Sequence, residues 1–261
     1  VLGWGHGKPM FLQWVWLVCV TSVSDKSVVK DKTKEKMHRH FEYELDGLKS
    51  NIIKIASLAE EAIAQAIKSL LEQKKDIAEQ VIAFDKQIDS YEIVVDNHVV
   101  DILALQQPVA VDLRFILAAS KINNDLERIG DHAVNIAQSA IKLADAPHVK
   151  PLVDIPIMAD TTKQMLRDAI DAFIHRDSMK ARTVLENDDV IDNLNRKVVG
   201  DLVEVMRKNP DTIDPALDLI RVSRNLERVA DLTTNIAEQV IFMAEARVVK
   251  HQSDQQQPEK Q

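Results

Sequence analysis

Two passages one hundred residues apart carry the same pattern, and both lie in unbroken helical sequence. Leu126-Glu127-Arg128-Ile129-Gly130-Asp131 is followed by Asn135-Ile136-Ala137, and Leu226-Glu227-Arg228-Val229-Ala230-Asp231 by Asn235-Ile236-Ala237. Each copy sets two acids at i and i+4, where like charges face each other and cost roughly 0.2–0.5 kcal/mol on an isolated helix. The same cost at matching places in two halves points to an internal duplication in which each half keeps an acidic site.

The flanking sequence is helical throughout. Leu45, Leu48, Ile52, Ile55, Ala59, Ala62, Ala66 and Leu70 recur at three and four, predicting an amphipathic helix from about residue 41 to 75. Val81, Ile88, Val95, Val99 and Ile102 mark a second, over about 76–105, which Gln107-Pro108 breaks. A third runs over about 111–143, and Asp145-Ala146-Pro147, Pro151 and Pro156 form a punctuated linker. The order then repeats, with helices over about 157–175, 178–208 and 215–247, Asn209-Pro210 stopping the second and Pro215 opening the third. No strand alternation occurs. The expected fold is all-α, two tandem antiparallel three-helix bundles related by internal duplication, with the repeated motif on the third helix of each.

Domain limits follow. Residues 37–146 and 147–250 are the two bundles, and Gln-rich 251–261 is expected to be a disordered tail. Residues 1–36 are expected to be a leader that is non-native or disordered. Their apolar run, 10–20, is shorter than the ~20 residues that span a bilayer, and it only loosely imitates a signal peptide. The chain opens with Val1, as a valine start codon read from too far upstream would, and Met37 is a usable start.

Composition removes several function classes. All three tryptophans, Trp4, Trp14 and Trp16, sit in the leader, so the body packs with Leu, Ile, Val and Ala. Only Gly47, Gly130 and Gly200 follow residue 7, and no glycine-rich phosphate loop is present. A formal charge of −8 opposes nonspecific nucleic-acid binding. The single cysteine, Cys19, excludes intrachain disulfides and fits a reducing compartment.

The acids form stripes. At 100° per residue Glu127, Asp131 and Asn135 share one face with Asn124 and Gln138, opposite Leu126, Ile129, Ala133 and Ile136. The second helix of the first half adds Asp85, Asp89, Glu92 and Asp96; its counterpart has Asp188 and Asp192, then Asn195 and Val199. Neighbouring helices lie about 8–10 Å apart, so a D-x-x-x-D pair and an E-x-x-x-D pair can meet in each half. Carboxylate and amide oxygens suit hard cations such as magnesium, manganese or iron. The plainer reading is a solvated face, or pairing with Arg114, Arg128 and Arg228. Duplication of Glu127/Asp131 as Glu227/Asp231 favours metal, whereas Asp85, Glu92 and Asp96 taken alone fit the plainer reading. A ferritin-like di-iron site would need Glu-x-x-His on two helices, and the only instance is Glu35 to His38 in the leader. His98, His132 and His175 are single and scattered, and no nucleophile arrangement accompanies the acids, so no enzyme activity is expected.

Gln107-Pro108-Val109-Ala110 with Asp112-Leu113-Arg114, followed by Asp125-Leu126-Glu127-Arg128-Ile129-Gly130-Asp131 and Asn135-Ile136, resembles the PhoU family of bacterial phosphate-uptake regulators. The likeness covers about residues 38–247, including the second copy. It implies a cytoplasmic negative regulator of phosphate uptake and phosphate-starvation signalling. It implies contact with the ATPase subunit of a phosphate ABC transporter and with a membrane sensor histidine kinase, homodimers, no nucleic-acid partner, and membrane association only through partners. By motif, the resemblance carries metal ligands to Asp85, Asp89, Glu127 and Asp131, and to Asp188, Asp192, Glu227 and Asp231, for iron, zinc, manganese or magnesium. The second site departs from the pattern at Ala230, Leu232-Thr233-Thr234, Asn195 and Val199. The competing function is a metal-binding accessory of a different phosphate carrier or of polyphosphate metabolism.

Overall fold

In the computed structural model, residues 11–147 and 149–247 are described, with side chains from Arg39 onward. The described elements are helical: α1 Phe11–Glu72, α2 Lys75–Gln106, α3 Ala110–Leu143, α4 Asp154–His175, α5 Ser178–Glu186, α6 Asp188–Lys208 and α7 Ile213–Glu245, with one 3₁₀ turn, Pro210–Thr212, ahead of α7. The all-α class and the tandem bundles are therefore as the periodicity predicts. α1–α3 make the first bundle, and α4, α5/α6 and α7 the second. The stretch to Asp46 and the stretch from Gly47 are separate units, and the helices that carry the acids all lie in the second.

Three boundaries differ from expectation. The backbone of α1 starts at Phe11, inside the expected leader, although the side chains of residues 11–38 and the expected tail 251–261 lie outside the described residues. α4 starts at Asp154 and takes Pro156 into its first turn, where the missing N–H is no loss. The single helix expected over 178–208 is two, divided at Asn187. Asn187 closes α5 by donating its N–H to the carbonyls of Thr183 and Val184, and its own carbonyl receives Val190 N–H. Neither Pro nor Gly marks this break. Asn187-Asp188-Asp189 is a run of poor helix formers whose short polar side chains compete for the backbone.

The inward stripes are those of the pattern. Leu48, Ile52, Ile55, Ala59, Ala62, Ala66 and Leu70 are buried from α1, and Val81, Ile88, Val95, Val99 and Ile102 from α2. Each fully buried large aliphatic side chain contributes roughly 1.5–3 kcal/mol. α2 ends where Gln107 turns left-handed (φ 46°) ahead of Pro108. Phe115 of α3 stacks on Phe173 of α4 with centroids 5.1 Å apart, joining the bundles through two of the few aromatic rings.

The two motif helices, α3 and α7, pack on each other. They run antiparallel: Lys142 lies 3.8 Å from Asp218, His132 Nδ1 is 2.8 Å from Asn225 Oδ1, and Lys121 sits over the Phe242 ring. The duplicated helices thus pack on each other, and each turns its acids toward the second helix of its own half.

Candidate metal centre

Rotation of α3 is set by Leu126, Ile129, Ala133 and Ile136, which are fully buried, and this leaves Glu127 half-buried and Asp131 exposed on the flank toward α2. Ile88 and Val95 do the same for α2 and present Asp85, Asp89, Glu92 and Asp96. The two helices touch most closely at Gly130. A Cβ there would stand 2.8 Å from Ile88 Cδ1 and 3.2 Å from Asp85 Oδ1, so the bare backbone is what lets Asp85 lie against α3. Asn123 then fixes the register, its amide donating to Asp96 Oδ1 and to the Glu92 carbonyl at 3.0 Å each.

The acids act on one another across this seam. Burial, and then the charges of Asp131, Glu92, Asp89 and Asp85, push the Glu127 carboxyl up to about 7. Burial, Asp89 and Asp131 raise Asp85 to about 6. Glu92 is raised by burial, Asp96 and Asp89, against an opposing hydrogen bond from Asn124. In the second half burial, Asp231, Asp192, Asp189 and Glu227 raise Asp188 to about 6. Its Oδ1 is buried without a hydrogen-bond partner. Asp85, Asp89, Glu127 and Asp131 therefore form one repelling group, and Asp188, Asp192, Glu227 and Asp231 a second. Such a group is lowered in energy by a cation.

The donor set, all carboxylate oxygen, fits a hard cation in its chemistry. It is not preassembled: among the described residues no three His, Cys, Asp or Glu side chains converge closely enough to hold an ion as they stand. Holding one requires the side chains of facing helices to turn toward a common point.

Sequence reasoning missed three residues of this region. Glu92, left to the solvated face, belongs to the first repelling group. Asn123 is fully buried and ties the helices together, a role signalled only by an amide on the apolar side of α3. Asp125 is buried, and burial raises it to about 6 against the pull of Arg128, with Glu238 adding and Lys121 opposing. Of the eight candidate ligands, Asp231 pairs with an arginine, its Oδ2 2.9 Å from Arg228 Nη1; Arg128 instead lies 3.9 Å from Asp125. Arg114 Nε is buried without a partner. His98 contacts Asn51, His132 contacts Asn225 and His175 contacts the Asp171 carbonyl. Glu35 and His38 lie outside the residues whose side chains are described. Among the described residues no helix is long and apolar enough to cross a membrane.

Comparison with known proteins matches both halves. The model of a family described as the PhoU domain matches residues 52–140 and again 155–240. The phosphate-specific transport system accessory protein PhoU homolog of Aquifex aeolicus (strain VF5) is 40% identical over 209 residues, covering 80% of this chain and 95% of the relative. The phosphate-specific transport system accessory protein PhoU of Escherichia coli (strain K12) is 30% identical over 211 residues, with 81% and 88% covered. The crystal structure of PhoU from Pseudomonas aeruginosa superposes with a TM-score of 0.76 at 34% identity, over 79% of this chain and all of that one (100%).

Proposed function

The chain belongs to the PhoU family, and from that premise we propose that it is a negative regulator of phosphate uptake and phosphate-starvation signalling. In this reading it is a cytoplasmic adaptor without turnover of its own, docking as a homodimer between the ATPase subunit of a phosphate ABC transporter and a membrane sensor histidine kinase. The observation that carries the phosphate link is the 40% identity, over 95% of its length, to an accessory protein of a phosphate-specific transport system. No glycine-rich phosphate loop or nucleophile arrangement in the sequence supplies a reaction, which supports action through partners.

Cation binding is the second part of the proposal. Asp85, Asp89, Glu127 and Asp131 hold one ion or cluster, and Asp188, Asp192, Glu227 and Asp231 another, with iron, zinc, manganese or magnesium as candidates. A bound cation supplies positive charge that cancels the repulsion across the seam. The protein's part is to present oxygens from two helices, and Gly130 and Asn123 keep those helices close and in register.

Deleting the gene and assaying a phosphate-starvation promoter in high phosphate tests the regulatory role. The promoter is expected to switch on without the protein. Silence would overturn the role and leave the accessory of another phosphate carrier in its place.

A further inference from the structure

The first two helices of each half also align, away from the acid seam. Gln73 (φ 52°) and Arg176 (φ 53°), the left-handed residues that follow α1 and α4, stand 103 apart. The buried positions recur at the same interval: Ile52, Ala59 and Leu70 as Ile155, Thr162 and Phe173, then Ala78, Val81 and Ile88 as Ala181, Val184 and Ile191. At that offset one groove is closed in the second half and open in the first.

Between α4 and α5, Lys180 spans the helices, its Nζ 3.1 Å from Asp168 and 2.6 Å from Asp171, and the Met165 side chain is buried alongside. Between α1 and α2 the same places hold Ile77, Gln65, Lys68 and Ala62. The ion-pair bridge is gone, and a methyl group stands where the second half has a long thioether. A groove of about 410 Å³ is open there, with Ala62, Ile77, Val81 and Phe84 as its apolar lining and Gln65 and Lys68 at its polar edge. Ala62 and Val81 are buried, Ile77 and Phe84 half-buried. Small-molecule sites have this form, roughly 300–1,000 Å³ of apolar wall with a few polar groups.

The polar edge decides the ligand's charge. Glu61, also on this edge, already accepts the Gln65 amide at 2.6 Å. Lys68 is exposed and makes no hydrogen bond or ion pair among the described residues, and Glu72, one turn on, is taken by Lys74 at 2.7 Å. The charge left to be matched is therefore positive. Along α1 the lining runs from Glu61 to Lys68, roughly 10 Å of helix, about the length of an octyl chain. We propose that the α1–α2 groove binds a small aliphatic monocarboxylate, its chain against Ala62, Ile77, Val81 and Phe84 and its carboxylate on Lys68. None of these residues is a candidate metal ligand, so the site depends neither on cation binding nor on the phosphate role.

The test is isothermal titration calorimetry of the full chain with sodium octanoate, in EDTA so that no bound metal takes the carboxylate. One site per chain is expected. Octylammonium, the same chain with its charge reversed, should bind at least about tenfold more weakly. Ala62→Met, which installs the second half's residue in the groove, should weaken octanoate by at least about tenfold. Lys68→Gln, at an exposed position, should abolish the preference for octanoate over octylammonium. Circular dichroism verifies folding, and Lys68→Gln decides the matter if Ala62→Met unfolds. No binding of octanoate, or equal binding of the two amphiphiles, overturns the proposal. So does undiminished binding by a folded Ala62→Met, or an unchanged preference in Lys68→Gln. Co-flotation with phosphatidylglycerol vesicles that is lost in Ala62→Met also overturns it, and assigns the groove to membrane lipid.

Discussion

The two acidic groups descend from one pattern and have diverged in what surrounds them. In the first half α2 is continuous, Gly130 admits Asp85 against α3, and the acids include Glu92 and Asp96. In the second half Ala230 fills the glycine's place, and Asn195 and Val199 stand for the two extra acids. Asn195 is buried and accepts the Ser223 hydroxyl at 2.6 Å, so it holds the helices together instead of adding charge. The second helix is also broken at Asn187, and Arg228 already occupies Asp231. One site concentrates repulsion; the other has part of it replaced by hydrogen bonds and an ion pair. An E-x-x-x-D motif therefore marks where an acidic group lies, and its neighbours decide how strongly it calls for a cation.

The sharpest way to break the comparison is at the glycine. Gly130→Val should cost about 2–3 kcal/mol in urea unfolding, since its branches meet Ile88 and the Asp85 carboxylate. Ala230→Gly, the reverse exchange, should cost only about 1 kcal/mol, mostly from helix propensity. Equal losses would show that close approach is not what distinguishes the halves.

Next in size is cation affinity. Glu127→Ala with Asp131→Ala should weaken binding at the first site at least about tenfold, or 1.4 kcal/mol, with helix content unchanged. The pair Glu227→Ala with Asp231→Ala should remove less metal. Elemental analysis and titration read both, and undiminished metal in the first variant would remove the proposed centre.

A smaller effect is the pH dependence of the metal-free protein. Glu127 (about 7), Asp85 and Asp188 (about 6 each) sit above the ordinary carboxylate range in the folded state, so folding favours their protonated forms. The stabilisation is complete below the unfolded value near pH 4 and is lost as pH rises through 6 to 7. Melting temperature should therefore rise as pH falls from 7.5 to 5, by roughly 2–4 °C, since solvent screening limits the gain to under about 1 kcal/mol. Glu127→Gln should flatten the curve more than Glu227→Gln, and a curve sloping the other way would contradict the repulsion.

The smallest effect concerns the arginines. Arg228→Ala should lower stability by roughly 0.2–0.5 kcal/mol while freeing Asp231 and tightening cation binding at the second site. Arg128→Ala should leave the first site's affinity unaltered, because Arg128 faces Asp125. Matching titrations of the two variants decide it.

Much of the fold was legible because a helix writes its orientation into the chain. Leu48 to Leu70 recur at three and four, and all face inward; Leu126, Ile129, Ala133 and Ile136 fix which way Glu127 points before any partner helix is known. The break at Asn187 was not legible, since no proline or glycine announces it and a few poor helix formers are tolerated elsewhere. Glu92 read as a solvated acid because a stripe on one helix does not reveal the charges on the next.

The sequence alone determined the helices, their inward faces, the duplication and the eight carboxylates on polar flanks, since all of these follow from spacing along a single chain with a period of 3.6. Only the tertiary structure decided that α3 and α7 pack antiparallel through His132 and Asn225, that Gly130 is a point of contact, that Arg228 rather than Arg128 meets the motif's aspartate, and that Glu127 titrates near 7. The reason is distance. Packing, ion pairing and repulsion depend on separations of a few ångströms between residues far apart in the chain, and periodicity within one helix carries no measure of its distance to the next.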